Sequence, residues 1–177
     1  FLRLKGLFLI EKKELEEAIS IYKCETKRSP EDDTLWYQLG VAYDEAGKRR
    51  EAFRCFYKAI NLNPENAPSY NHIGYTWADE NKNLKRALKY IEKALAIDPE
   101  NPAYIDSLGW CYYRMGRLED ALEQLLRAFE IEEDPIIAEH IGDVYKDMEN
   151  MDEAERFYRK AVELGGKIEK ERWRGLK

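Results

Sequence analysis

Histidine and serine are scarce in this chain, at two and four of 177 residues. The four serines stand beside no histidine spaced to activate them, which argues against a serine hydrolase. His72 and His140 have no Cys or carboxylate at ligand spacing around them, which argues against a zinc site. The three cysteines, Cys24, Cys55 and Cys111, are odd in number and form no CxxC pair, so neither a disulfide framework nor a thiolate metal cluster is expected. HExxH, GxSxG and GxxxxGK are all missing, and Gly165-Gly166-Lys167 lacks the flanking residues of a phosphate loop. No catalytic residue, metal or cofactor is therefore expected, and the chain reads as a non-enzyme. Long apolar runs are absent too. Leu7-Phe8-Leu9-Ile10 is as long as any, far short of a membrane span. Basic residues number 29 against 35 acidic, a formal charge of −6, and an acidic chain repels a phosphate backbone. An initiating methionine is also missing. The chain is expected to be a processed or excised piece of a longer one, with its compartment left open between the cytoplasm and the periplasmic face of a bacterial envelope.

What is present is a period. Gly recurs at positions 6, 40, 74, 109 and 142, spaced by 34, 34, 35 and 33 residues. Ala follows at 18, 52, 87, 121 and 154, a second Ala at 59, 94, 128 and 161, and Pro at 30, 64 and 99. Within one period, Trp36, Leu39, Gly40 and Tyr43 lie on one helical face, Gly47 interrupts, and Ala52, Phe56, Ala59 and Ile60 form a second face before Asn63-Pro64 ends it. Each period therefore predicts a helix, a turn and a second helix. Gly40, Ala52 and Ala59 are small where the two helices must cross closely, because a larger side chain there overpacks.

The run Trp36-x-x-Leu39-Gly40-x-x-Tyr43, then Ala52, Phe56, Ala59 and Pro64, resembles the tetratricopeptide repeat. The next period matches with Tyr70, Ile73, Gly74, Trp77, Ala87, Ile91, Ala94 and Pro99. Ile105, Leu108, Gly109, Tyr112, Ala121, Leu125 and Ala128 carry the fourth, and Ala138, Ile141, Gly142, Tyr145, Ala154, Tyr158 and Ala161 the fifth. The first is shortened at its start, with Gly6, Ala18, Tyr22 and Pro30. Residues 104–129 resemble repeats of bacterial envelope-associated members.

The resemblance implies an all-α fold, a right-handed α-solenoid of stacked helix-turn-helix repeats over residues 1–166, divided as 1–32, 33–66, 67–101, 102–134 and 135–166. Residues 167–177 hold five basic and two acidic residues after a Gly-Gly stop and are expected to form a basic capping helix, with Ile168 and Trp173 covering the last repeat. Departures from the pattern are local. Glu25 replaces the second Ala of the first repeat, an extra residue lengthens the turn near Asn81–Asn83, and Pro135 opens a shortened fifth repeat.

The resemblance also implies which positions of each first helix face a concave, partner-binding groove. They are Tyr37, Val41, Asp44 and Glu45; Asn71, Tyr75, Ala78 and Asp79; Asp106, Trp110, Tyr113 and Arg114; and Glu139, Asp143, Lys146 and Asp147. Tyr37, Tyr75, Trp110 and Tyr113 make that face aromatic, and the carboxylates make it acidic. The expected partner is a protein or peptide segment with basic and apolar groups, held by a non-catalytic scaffold or adaptor. A clamp for a terminal carboxylate is disfavoured, because its places hold Tyr37, Gln38, Asn71, His72, Asp106 and Ser107 rather than a basic cluster. Two alternatives stay open: a self-assembling structural module pairing through its apolar first helix, and a regulatory domain of a larger protein.

Overall fold

A computed structural model describes residues 2–169 and 172–174. Among them are ten α-helices and no strand: α1 (Leu2–Glu11), α2 (Leu15–Arg28), α3 (Asp33–Glu45), α4 (Arg49–Leu62), α5 (Ala67–Asp79), α6 (Leu84–Ile97), α7 (Pro102–Arg114), α8 (Leu118–Ile131), α9 (Pro135–Asp147) and α10 (Met151–Glu163). The helical boundaries follow local chemistry. Asp32, Asn101 and Asp134 cap α3, α7 and α9 by accepting from the main-chain N–H groups of Leu35, of Ala103, and of Ile136 and Ile137. Pro102 and Pro135 stand at the first helical position, where the missing N–H costs nothing.

The turn inside each repeat has one backbone signature. Lys13, Gly47, Asn81, Gly116 and Glu149 all have positive φ, between 53° and 75°. The residue after each donates its N–H back to a carbonyl two residues before the end of the preceding helix: Lys48 to Tyr43 O, Arg117 to Tyr112 O and Asn150 to Tyr145 O, at 2.8–3.0 Å. This left-handed stop favours glycine, yet three of the five repeats use another residue there. The predicted extra residue is visible as the four-residue turn 80–83, which carries a second left-handed residue, Asn83.

The small residues sit where two helices meet. A Cβ added at Gly40 would lie 2.5 Å from the Phe56 ring, and one at Gly142 would lie 2.4 Å from the Tyr158 ring. Ala52, Ala59, Ala121, Ala128, Ala154 and Ala161 are fully buried.

The chain divides inside α5 into two compact units, Phe1–Ile73 and Gly74–Lys177. The first is built on Tyr22, Leu35, Phe56 and Ala59. The second has a core of Ile105, Leu125, Ile137, Ile141, Val144 and Phe157, to which Ile168 adds its side chain as expected.

The C-terminal expectation needs correction. Residues 167–169 have no regular secondary structure and 172–174 form a turn, so the described part of the tail is not a helix; Lys170, Glu171 and residues 175–177 lie outside the described residues, as does Phe1. Two causes are visible. An isolated helix of so few residues is unstable without packing of one face. The side chain and carbonyl of Arg172 are both engaged by α9, and those contacts set the local backbone.

Candidate functional site

In Phe1–Ile73, Tyr37 and Val41 of α3 are half-buried, and the Tyr37 ring lies 5.9 Å from Phe56 and 6.3 Å from His72. Asp44, at the end of α3, meets His72 Nε2 at 3.1 Å and also pairs with Arg49. Burial by itself would lift the Asp44 carboxyl, but the His72 ring and the Arg49 guanidinium outweigh it and hold the group below the usual carboxylate range. Asn71 is half-buried, and its side-chain oxygen is buried without a hydrogen bond among the described residues.

In Gly74–Lys177 the face is more elaborate. Asp106 of α7 is buried and meets His140 Nδ1 of α9 at 2.8 Å. The His140 ring stacks on Trp110, with centroids 4.1 Å apart and planes 18° from parallel, and Tyr113 lies 4.9 Å beyond Trp110. Tyr75 approaches the same histidine at 6.5 Å. Burial opposes a charge on His140, but Asp106, Asp143 and Glu139 outweigh that and raise its pKa above the ordinary 6.5. Burial raises the pKa of Tyr113, and the hydrogen bond that its hydroxyl donates to Asp147 at 2.8 Å raises it further. Burial and the carboxylates of Asp79, Asp106 and Glu139 do the same to Tyr75, so both phenols stay neutral donors. Arg114 lies over the Trp110 ring at 5.7 Å.

Asp143 anchors a second cluster. Tyr158 of α10 donates to its Oδ1 at 2.8 Å, and Arg172 Nε reaches its two oxygens at 2.9 and 3.2 Å. The Arg172 guanidinium also pairs with Glu139, and Lys146 Nζ donates to the Arg172 carbonyl at 2.7 Å. Trp173 meets Tyr158 edge-on at 5.8 Å.

The sequence-predicted residues are thus distributed unevenly. Tyr113, Arg114, Glu139 and Lys146 are half-buried and Asp79 and Asp147 are exposed, whereas Asp106, Trp110 and Asp143 are buried, and Ala78 is fully buried in the packing. The expected acidic face is partly neutralised by Arg172, and its Asp106 is engaged by the His140 ring. From sequence His140 reads as a groove-facing or a packed polar residue, and Arg172 is not assigned to the face. His140 carries no charge signal of its own. Arg172 had one, the basic tail of an acidic chain, which reads equally well as a solvated cap.

Among the described residues no group of three or more His, Cys, Asp or Glu side chains could hold a metal ion. No helix among the described residues is long and apolar enough to cross a membrane. Cys24, Cys55 and Cys111 are free thiols; burial first, then nearby Glu51, pushes Cys55 up to about 12, and burial with Glu92 pushes Cys111 up to about 11, so neither buried thiol is a nucleophile at neutral pH.

Comparison with known proteins accords with this geometry. The tetratricopeptide repeat family model matches residues 34–66, and the model for the anaphase-promoting complex, cyclosome, subunit 3 matches residues 80–161. The TPR repeat-containing protein PA4667 of Pseudomonas aeruginosa is 32% identical over 143 residues, 77% of this chain but 24% of that protein. The type IV pilus assembly protein PilF of the same species is 26% identical over 132 residues, 73% of this chain and 52% of PilF. The chain therefore spans about a quarter of one relative and about half of the other. The crystal structure of TTC0263, a thermophilic TPR protein of Thermus thermophilus, superposes with a TM-score of 0.81 at 22% identity, covering 92% of this chain and 89% of that one. Repeat spacing, helical pairs, close-packed glycines and these likenesses agree: the chain belongs to the tetratricopeptide repeat family.

Proposed function

We propose that this protein is a binding scaffold whose first-helix face holds a segment of a partner protein bearing arginine and an aromatic or aliphatic anchor. The family is one of protein-interaction modules and is generally non-catalytic. The observation that carries the finer reading is the cluster on α7 and α9. It combines Tyr113, Trp110 and His140 rings with Glu139, Asp143 and Asp147 carboxylates, so a cation and a flat apolar group can be bound side by side. The likeness to PilF, a type IV pilus assembly protein, supports a role at the bacterial envelope.

Selection from a displayed library of random peptides tests this. The full chain should enrich peptides containing arginine next to an aromatic residue, and Asp79→Lys combined with Asp147→Lys should lose them while keeping its helical circular dichroism. Enrichment of acidic or wholly apolar peptides, or equal enrichment by the variant, overturns the reading.

A second reading has its own observation. Leu4, Leu7 and Phe8 of α1 are 73%, 43% and 53% exposed, an apolar face suited to a second copy or to a further repeat of a larger protein. If it mediates self-association, sedimentation should show a concentration-dependent dimer that Leu4→Glu with Phe8→Glu returns to monomer; a monomer at all concentrations removes it.

A further inference from the structure

The face offers an arginine site, and the chain itself fills it. Asp143 is buried, and a buried carboxylate needs a paired cation. Tyr158 holds one of its oxygens in place from inside the fold, independently of the tail. Glu139 stands one helical turn away on α9, so the two carboxylates lie where a planar guanidinium can pair with both. The ammonium of a lysine presents a point charge and cannot reproduce that fork. The occupant is Arg172, followed by Trp173 on the Tyr158 ring and by Arg174: a basic-aromatic-basic stretch. This is the ligand chemistry that the aromatic and acidic residues of α7 and α9 call for. Residues 172–174 reach the site as a turn, and their contacts with α9 and α10 include those of the Arg172 side chain, the Arg172 carbonyl and the Trp173 ring.

We propose that Glu139 and Asp143 form an arginine-selective pocket and that Arg172 is its tethered occupant, a built-in competitor that an arginine-bearing partner segment must displace. The proposal rests on the binding face described above and specifies how that face is gated. A short tether presents its ligand at an effective concentration on the order of millimolar, so native affinity for an outside segment is reduced by the closed fraction. Removing Arg172 opens the pocket without touching its walls.

The experiment uses the full chain and a fluorescently labelled synthetic peptide with the sequence of residues 169–177, read by anisotropy. The Arg172→Ala chain should bind the peptide at least about 10-fold tighter than the native chain, the gain expected when a tethered competitor is lost. Arg172→Lys in the chain should behave like Arg172→Ala. Arg172→Lys in the peptide should abolish most of the gain, and so should Asp143→Asn added to the Arg172→Ala chain. Equal affinity of the native and Arg172→Ala chains, whether strong or undetectable, overturns the proposal. A second readout needs no change at Arg172. The native chain is labelled with 5-fluorotryptophan, and Trp173 is assigned by its loss in Trp173→Phe. Saturating unlabelled peptide should move the Trp173 fluorine resonance; an unmoved resonance overturns the proposal. Library enrichment of arginine peptides with Trp173 unmoved would overturn this gating and leave the binding face standing. Tail-peptide binding to Arg172→Ala without any library enrichment would overturn the face and leave the pocket.

Discussion

Tyr158 packs its ring against the Gly142 backbone while its hydroxyl fixes Asp143, so one side chain couples the interior of the second unit to the face proposed to bind a partner. Gly142→Ala places a Cβ where that ring now lies. It should destabilise the chain by about 1–3 kcal/mol in urea unfolding, the cost of overpacking. It should also weaken peptide binding, because Asp143 moves with the ring. His140 gives a pH dependence. Its pKa is raised in the folded state above an unfolded value near 6.5, by Asp106, Asp143 and Glu139 acting against burial. The stabilisation from its proton is therefore complete below about pH 6.5 and lost as the pH rises through the raised folded value. Urea midpoints should fall as the pH rises above about 6.5, and His140→Gln should flatten that fall; an unchanged pH profile in the variant contradicts it. The role of Gly142 was legible in the sequence, because its series recurs with the fold period. The burial of Asp106 and His140 was not. A carboxylate and an imidazole read as surface groups until a helix 34 residues further along the chain brings the partner to within 2.8 Å.

At the scale of the element, helix ends were the best-determined feature, since caps, prolines and the turn inside each repeat are local. The left-handed turn makes a quantitative case. Glu149 occupies the backbone conformation that Gly47 and Gly116 occupy in other repeats. Glu149→Gly should raise stability by up to about 1 kcal/mol, because the steric cost of a left-handed non-glycine residue exceeds the added chain entropy. Gly116→Ala should lower it by about 1–2 kcal/mol for the same reason. Thermal melts of the two variants should move in opposite directions. The tail shows where local reading fails. Its composition suits a short helix, but the conformation of 172–174 goes with the ion pairs of one arginine to Asp143 and Glu139 on α9, and no propensity encodes that choice.

At the scale of the whole molecule, the proposed function has a net charge of −6 and the carboxylates of the face steering cationic segments and repelling acidic ones. Raising the salt concentration should slow association of an arginine peptide several-fold and leave its dissociation nearly unchanged, because screening acts on the encounter more than on the seated pair. A salt-insensitive association rate would mean that apolar contact alone selects the partner. The most direct measurement places a photo-crosslinking amino acid on the full chain in native cell extract, at Asp79 and Asp147 on first helices and at Glu123 and Arg156 on second helices. All four positions are exposed. A partner protein that crosslinks from 79 and 147 and not from 123 or 156 is the predicted result. Crosslinks confined to 123 and 156 would place the partner on the second-helix surface and contradict the account.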